Sequence, residues 1–376
     1  MIKIAHIADL HISGAWMDRT SKALAMASEA CKENSVTDVV YSGDIFERAN
    51  IADRYGSVGT QQSVLIAFIM SLSRVRHHFI VGNHDRRGEQ ASALEFLREV
   101  PGCMVYDSPQ VVDLDGYGVG FIPWIEKGLF VAKIGEGKSK SETDLAFSEA
   151  IESVLAKIKI GFKTVARKYG HEDCNISFLF GHCEVQGVNP NPGYTIQGGG
   201  YAFTEGQLRA TGADYISLGH IHRRDGLYSG SLYQKNFGEE GNPQGIEIIG
   251  TTKGVGSNED ITQEFISLSL SGFETIEIKD TMSSILQPSN QEYFLKRIAD
   301  GWTYKLRFYG ESLYAICPRI ITANCAVEKL WTKKDFVSRT EKILSPMMSD
   351  TELLREYIAI NFPPEGLTEA DILEVI

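Results

Sequence analysis

The chain of 376 residues lacks long apolar runs, closely spaced cysteine pairs and an excess of basic residues. No apolar stretch reaches the roughly 18 residues that a membrane-spanning helix needs, and no basic signal segment precedes the first apolar stretch. The six cysteines form no Cys-x-x-Cys pair, which argues against a structural zinc site and favours reduced thiols. We therefore expect a cytoplasmic protein without a membrane partner.

The net charge of −12 argues against a protein that holds nucleic acid by bulk electrostatic attraction. Neutralising a phosphate backbone requires a basic face. A role on nucleic acid would therefore need a local basic rim, metal ions at the site, or a partner subunit that supplies positive charge.

The order of apolar segments indicates an α/β fold. Strands alternate with helices from the amino terminus onward, a pattern typical of a largely parallel core. The predicted strands cover 2–11, 38–42, 78–81, 176–180 and 215–218, and the predicted helices cover 18–34, 61–74, 91–99 and 144–168.

The chain is too long for one compact core, so more than one domain is expected. Composition changes near Asp280, where the stretch SSILQPSNQ has the character of a linker. We predict a main domain over 1–280, a small capping unit over 281–332 and a helical segment over 333–376. The capping unit should contain a helix near 291–299 and strands near 304–308 and 316–321.

Polar clusters follow five of the predicted strands. In open α/β sheets, sites lie at the carboxyl ends of the strands, so these clusters should meet. Carboxylate, amide and imidazole groups without thiolate suit Mn²⁺, Fe²⁺ or Zn²⁺ in a hydrolytic site, and nine candidate ligands are enough for two ions. The clusters are Asp9-x-His11, Gly43-Asp44, Gly82-Asn83-His84-Asp85, Gly181-His182 and Gly219-His220-x-His222.

This ordered set resembles the calcineurin-like metallophosphoesterase superfamily, whose motifs are D-x-H, G-D, G-N-H-[DE], G-H and G-H-x-H. Further stretches are similar to the SbcD-type DNA repair nucleases over about residues 1–270. They are GDIFE at 43–47, GNHD at 82–85, IPW at 122–124, LGHIHR at 218–223 and YSGS at 228–231. The resemblance implies a β-sandwich flanked by helices, with a small α+β capping domain and C-terminal helices.

The resemblance also implies two divalent metal ions, expected to be Mn²⁺. Carried over position by position, the ligands are Asp9, His11 and His222 for one ion, Asn83, His182 and His220 for the other, and Asp44 between the two.

The resemblance gives His84 and Asp85 catalytic roles. His84 would lie over the scissile phosphate, where it protonates the leaving oxygen or stabilises its charge. Asp85 would orient His84 by a hydrogen bond, and a metal-bound hydroxide would attack phosphorus. Glu47 departs from the family, since many members carry His or Asp there. That position has been linked to duplex ends, so exonuclease activity is less firmly implied than phosphodiesterase chemistry.

The implied function is that of a Mn²⁺-dependent DNA exonuclease and endonuclease in an SbcCD-like repair complex. Its partners would be DNA and an SbcC-type coiled-coil ATPase, with a homodimer of this chain inside a heterotetramer. The expected setting is the cytoplasm of a bacterium or of a phage-infected cell. The terminal helices would dock on the ATPase or pack back on the capping unit.

Two basic pairs flank the clusters, Arg86-Arg87 and Arg223-Arg224. They would give an acidic protein a positive rim for DNA phosphates; the alternative is solvated arginines in local ion pairs. Two other functions stay open: a phosphoesterase for small molecules or proteins, and an inactive scaffold. The complete ligand set argues against the scaffold.

Overall fold

The computed structural model describes residues 1–49, 58–87, 91–128, 139–170, 176–188, 200–252, 261–268, 270–279, 288–309 and 325–330. The chain divides into two compact units. Met1–Thr275 and Lys296–Tyr304 form the first, and Ile276–Leu295 and Lys305–Ile376 form the second. The three-part division at 280 and 332 stays a prediction.

The helices and strands of the described residues follow the alternating order. The helices are α1 (Met17–Glu33), α2 (Val58–Ser71), α3 (Lys140–Lys168), α4 (Glu205–Arg209) and α5 (Pro288–Ala299). The strands are β1 (Lys3–Ile7), β2 (Asp38–Ser42), β3 (Arg76–Ile80), β4 (Arg86–Arg87), β5 (Ala91–Ser92), β6 (Cys103–Tyr106), β7 (Gln110–Leu114), β8 (Tyr117–Ile122), β9 (Ser177–His182), β10 (Glu184–Val185), β11 (Ala202–Phe203), β12 (Tyr215–Gly219), β13 (Gly245–Thr251), β14 (Ile261–Ser267), β15 (Phe273–Ile278), β16 (Thr303–Tyr309) and β17 (Cys325–Leu330).

Two mixed sheets form the first unit. One has the strand order β14-β13-β1-β2-β3-β6 and the other β12-β9-β8-β7. Strands β1, β2, β3 and β6 run parallel, as do β12, β9 and β8. Each sheet therefore has a group of parallel strands whose carboxyl ends share one edge.

The two sheets pack face to face between helices. Their inner faces share an apolar core that includes Ile4, Val40, Phe121 and Phe178. Neighbouring strand residues point to the opposite faces, where helices α1 and α2 cover the larger sheet and α3 covers the smaller one. Strands covered on both faces explain the continuous apolar segments of the sequence.

Helix α3 shows how its sequence determines its packing. Ser139 and Glu142 form a capping box that begins the helix. The buried residues then recur at helical spacing against the smaller sheet. They are Phe147, Ile151, Leu155, Ile158 and Phe162.

The predicted α/β sandwich with flanking helices is confirmed, with element bounds that mostly shift by a few residues. The predicted helix over 91–99 is wrong. Ala91–Ser92 is a short strand and Glu95–Glu99 a 3-10 turn, because the Ala93 N–H donates to the Asp85 carbonyl at 2.7 Å instead of starting a helix.

The second unit contains part of a three-stranded sheet in the order β15-β16-β17. The predicted strand near 316–321 and the helices predicted beyond 333 lie outside the described residues. Among the described residues, no helix is long and apolar enough to cross a membrane.

Candidate metal centre

The five polar clusters lie at the carboxyl ends of five strands. Those after β1, β2 and β3 belong to the larger sheet, and those at the ends of β9 and β12 belong to the smaller one. Three groups of potential ligand atoms result, each within 4.8 Å. They are Asp9 with His11 and His222, His11 with Asp44 and His84, and Asp9 with Asp44 and His182.

Four of the clustered residues have left-handed backbone conformations. The φ angles are 54° at Asp9, 44° at His11, 51° at Asp44 and 97° at His220. Such conformations cost about 1–3 kcal/mol each and persist where the surrounding structure fixes them. The spacing Asp-x-His at the end of a strand predicts that Asp9 and His11 converge because residues i and i+2 of an extended chain point the same way. That geometry is wrong here, since neither residue is extended. The two side chains converge through sharply turned backbone instead.

The loops after β1 and β2 are joined by backbone hydrogen bonds. The His11 N–H donates to the Asp44 carbonyl at 2.8 Å, and the Ile12 N–H donates to the Ile45 carbonyl at 2.8 Å. These bonds fix the strained turns and hold Asp9 and His11 at a constant position relative to Asp44.

Two glycines provide room for ligand side chains. A Cβ atom on Gly82 would lie 2.2 Å from Asp44 Oδ1. A Cβ atom on Gly43, where φ is +76°, would lie 2.3 Å from His182 Nδ1. Glycine is therefore required at both positions for the ligands to occupy their places.

The first predicted ligand set is brought together. His11 Nε2 lies 3.1 Å from His222 Nε2, and His222 Nε2 lies 4.0 Å from Asp9 Oδ1. His11 Nε2 is also 3.5 Å from Asp44 Oδ2. The outer nitrogen of His222, Nδ1, contacts Glu239 Oε1 at 2.7 Å.

The second predicted set is brought together in part. His182 Nε2 lies 2.8 Å from Asn83 Oδ1 and 3.4 Å from Asp44 Oδ1. The ring of His220 lies 5.3 Å from the His182 ring and 4.9 Å from Trp124, outside the three groups of ligand atoms. Its backbone N–H donates to both carboxylate oxygens of Asp9 at 3.0 Å.

The hydrogen bonds at the outer nitrogens test whether this set suits metal ions. The Ser42 carbonyl accepts from His182 Nδ1 at 2.7 Å, which fixes that proton. A neutral His182 then directs a bare Nε2 toward the oxygens of Asn83 and Asp44. The same logic directs His222 Nε2 toward His11. Lone pairs that converge without protons between them fit divalent cations.

Charge in the cluster supports the same fit. Burial raises the pKa of Asp9, and the nearby His222 and His182 offset this only in part. Burial also favours a neutral Asp44, but His182, His11 and His84 outweigh it and hold its pKa well below its usual range. Burial lowers the pKa of His220 to about 3, helped by His182. Burial favours a neutral His182, but Asp44 and Asp9 outweigh it and raise its pKa to about 9. Without an ion, the buried carboxylates therefore hold a proton on His182, and a divalent cation would replace the positive charge of that proton.

The sequence profile of the Calcineurin-like phosphoesterase family matches residues 2–224, which include every residue of the three groups of potential ligands. The chain belongs to the calcineurin-like phosphoesterase family. This family consists of metal-dependent phosphoester hydrolases, in agreement with the clustered carboxylates and imidazoles. Among solved structures, a dimetal phosphatase from Danio rerio is similar, with a TM-score of 0.39 and 11% identity over 71% of this chain and 99% of that one. The curated proteins contain no match.

His84 lies at the open edge of this phosphoesterase site. Its side chain is 39% exposed, and its Nε2 atom is 4.0 Å from Asp44 Oδ2. Its Nδ1 atom contacts the Glu47 carbonyl at 2.6 Å, so Nδ1 donates and Nε2 faces the cluster. The ring is thereby oriented with one nitrogen available to a substrate.

Asp85 has partners other than the one predicted. Its buried carboxylate accepts from the backbone N–H groups of Ile45 at 3.0 Å, Phe46 at 3.2 Å and Gly82 at 2.9 Å. Burial and the charge of Asp44 raise its pKa to about 7. Since Glu47 orients His84, the contribution of Asp85 is to fix the loops that carry Asp44 and His84.

Sequence reasoning missed three residues around the ligands. Glu239 contacts His222, Trp124 packs on His220 and His182, and Lys235 lies 3.4 Å from Glu47. Trp124 stands in the IPW stretch at 122–124, but that stretch alone does not predict its contact with the imidazoles. The acidic side chain of Glu239 is of a type that supports metal-binding histidines, but no sequence spacing relates it to His222.

The rim arginines already have partners where their side chains are described. Arg86 donates to the Asp107 carbonyl at 2.9 Å, and Arg223 pairs with Asp225. Arg224 pairs with Glu247 at 3.2 Å and lies over the Phe265 ring. The side chain of Arg87 lies outside the described residues. Phosphate contacts would compete with these pairs.

Proposed function

We propose that the chain is a two-metal phosphodiesterase that cleaves DNA, the nuclease subunit of an SbcCD-like complex. The observation that carries this proposal is the half-exposed His84 beside the buried carboxylate of Asp44. That arrangement gives a phosphate at the cluster one solvent-facing proton donor. Five of the seven predicted ligands are buried: Asp9, His11, Asp44, His182 and His222.

The stretches that resemble SbcD-type nucleases support the DNA substrate, because they contact the ligands. Trp124 of IPW packs against His220 with 4.9 Å between ring centres. Ser231 of YSGS donates its backbone N–H to the His222 carbonyl at 3.0 Å and pairs with Ala8 beside Asp9. Both stretches therefore belong to the surroundings of the metal centre rather than to a remote surface.

The chemistry divides between the ions and His84. When bound, two divalent ions supply Lewis acidity to the phosphate oxygens and lower the pKa of water. Because Nδ1 of His84 donates to the Glu47 carbonyl, a protonated His84 presents an N–H at Nε2. That group can stabilise charge on the phosphate or donate a proton to the leaving oxygen.

A phosphoesterase for smaller substrates is a second candidate, favoured by the paired arginines of the rim. The described guanidinium groups contact Asp107, Asp225 and Glu247. A short phosphoester needs the metal centre and His84 but no extended basic surface, so it would bind without disturbing these pairs.

The partner proposal concerns residues 333–376, which lie outside the described residues. We propose that this segment binds an SbcC-type coiled-coil ATPase through its predicted apolar helix faces. Deleting residues after about 332 should abolish binding to the ATPase and spare metal-dependent hydrolysis. Co-purification measures the first and phosphoester cleavage the second. A truncated chain that still co-purifies would contradict the docking role.

The function is tested by Mn²⁺-dependent cleavage of end-labelled linear duplex and hairpin DNA, beside a generic phosphomonoester. The purified chain should cleave DNA, alone or with the ATPase, and His84→Ala should abolish cleavage. Monoester hydrolysis without DNA cleavage would favour the second candidate. Inactivity on both substrates with the ATPase present would favour a scaffold.

A further inference from the structure

The imidazoles of the first ligand set are supported by carboxylates on their outer side. Glu239 is fully buried, and its Oε1 atom lies 2.7 Å from His222 Nδ1. Glu47 Oε2 lies 3.1 Å from His11 Nδ1, in a contact outside regular hydrogen-bond geometry. Both contacts leave the Nε2 atoms of the two rings facing each other.

A single residue connects the two carboxylates. The backbone N–H of Lys235 donates to Glu239 Oε2 at 2.7 Å, and its ammonium group lies 3.4 Å from Glu47 Oε2. The Lys235 side chain is only 9% exposed. The buried Glu239 is thus bonded through one oxygen to the ring and through the other to the backbone, which leaves it little freedom to turn.

We propose that Glu239 and Glu47, connected by Lys235, are positioning residues that orient His222 and His11 as ligands of one metal ion. This proposal rests on the proposed function, since it needs the metal centre. A carboxylate at the outer nitrogen keeps the proton on Nδ1, fixes the ring and makes Nε2 a stronger ligand. Glu239 contributes more than Glu47, because its contact is buried and in regular geometry.

The second ligand set lacks this support among the described residues. The outer nitrogen of His182 bonds to a backbone carbonyl, that of Ser42. A neutral carbonyl fixes the tautomer but adds no negative charge. Loss of Glu239 should therefore weaken one of two Mn²⁺ binding steps and leave the other.

The test is a Mn²⁺ titration of the full chain in which electron paramagnetic resonance measures free Mn²⁺. Wild type should show two binding steps. Glu239→Gln should weaken one step by about 10–100-fold, and Glu239→Ala should weaken the same step more, because glutamine keeps an acceptor for Nδ1. Glu47→Gln should have a smaller effect than Glu239→Gln.

Glu240→Gln is the matched control. Glu240 is exposed and contacts Thr275 rather than a ligand, so both steps should stay unchanged. Thermal unfolding with a chelator present separates folding from binding. A Glu239→Gln chain that binds both ions as wild type does, even with altered unfolding, would overturn the positioning role alone. A wild-type chain that binds no Mn²⁺ would overturn the positioning role and the proposed function together.

Discussion

The two halves of the proposed metal centre differ in the groups that bond to the outer nitrogens of their imidazoles. Around Asp9, His11 and His222, the outer ring nitrogens face side-chain carboxylates. Around Asn83 and His182, the outer nitrogen faces the backbone carbonyl of Ser42. Asp44 lies between the halves, 3.5 Å from His11 and 3.4 Å from His182.

This difference shows two ways to fix a ligand. Backbone carbonyls come from the strands, so the Asn83 half depends directly on the fold. The two side-chain carboxylates come from irregular segments, Glu239 from the 3-10 turn Phe237–Glu239 and Glu47 from the loop after β2. The Asp9 half can therefore be altered without breaking a strand. Substitutions can therefore change Mn²⁺ binding in one half while leaving it unchanged in the other.

The largest effect should come from Asp44→Asn, since Asp44 contacts both halves. Loss of a residue that only supports a ligand weakens metal binding by up to about 100-fold. Loss of the Asp44 charge should weaken both Mn²⁺ binding steps by more than that, and hydrolysis should stop. Asp115→Asn is the control. Asp115 has a similar φ of 55°, but its side chain is exposed and pairs with Arg76 rather than with a residue of the metal centre. A variant at Asp44 that still binds two ions would contradict the bridging position.

His84→Ala should remove hydrolysis while sparing both halves. The exposed ring donates a proton or stabilises charge, and such groups contribute about 10²–10⁴-fold to rate. Mn²⁺ affinity should stay near wild type. Asn83→Ala, one residue earlier, should weaken metal binding as well as rate. If His84→Ala lost an ion instead, His84 would be a ligand.

Gly43→Ala should damage the His182 half selectively. The added methyl group would lie 2.3 Å from His182 Nδ1, at a backbone φ of +76°. Gly170→Ala is the matched control: its φ is +79°, with no atom within 4 Å of the added carbon. Both substitutions carry a backbone cost of about 1–2 kcal/mol, measured by denaturant unfolding, but only Gly43→Ala should weaken Mn²⁺ binding. Equal Mn²⁺ binding by the two variants would contradict the claim that glycine at position 43 is needed to make room for His182.

Asp38→Asn should have the smallest effect on the metal centre and a clear one on folding. Burial would raise the pKa of Asp38, but His78 and Arg76 bond to its carboxylate and lower it. This carboxylate therefore stabilises the fold above its unfolded pKa of about 3.9, and that contribution is lost as pH falls through the lower folded pKa.

Replacing Asp38 should lower the free energy of unfolding at pH 7 by about 1–3 kcal/mol and flatten its dependence on acid pH, as measured by urea unfolding. Asp113→Asn, whose partner Lys168 is largely exposed, should change stability less. A large loss of Mn²⁺ affinity in Asp38→Asn would show that the two regions are coupled.

The sequence could predict which strands end at the site, because Asp9, Asp44 and His182 each follow a buried strand. The parallel order then places those ends along one edge of each sheet. The same reasoning could not predict that Asp9 and His11 sit in left-handed turns, since local spacing does not reveal which backbone bonds fix a loop.

The residues that surround the ligands, Glu239 and Asp85, could not be assigned from the sequence because their contacts are made across distant parts of the chain. Glu239 meets His222 across 17 positions of irregular chain, and no periodic pattern relates them. The role of Asp85 was misassigned because adjacency to His84 suggested a contact, whereas its carboxylate points back to Ile45 and Gly82. Tertiary packing decides both cases.

The most direct test of the two-half centre is anomalous X-ray diffraction from crystals grown with Mn²⁺. Two peaks are expected, one contacting Asp9, His11 and His222 and the other contacting Asn83 and His182, with Asp44 touching both and His84 touching neither. A single peak, or a peak ligated by His84, would contradict the account.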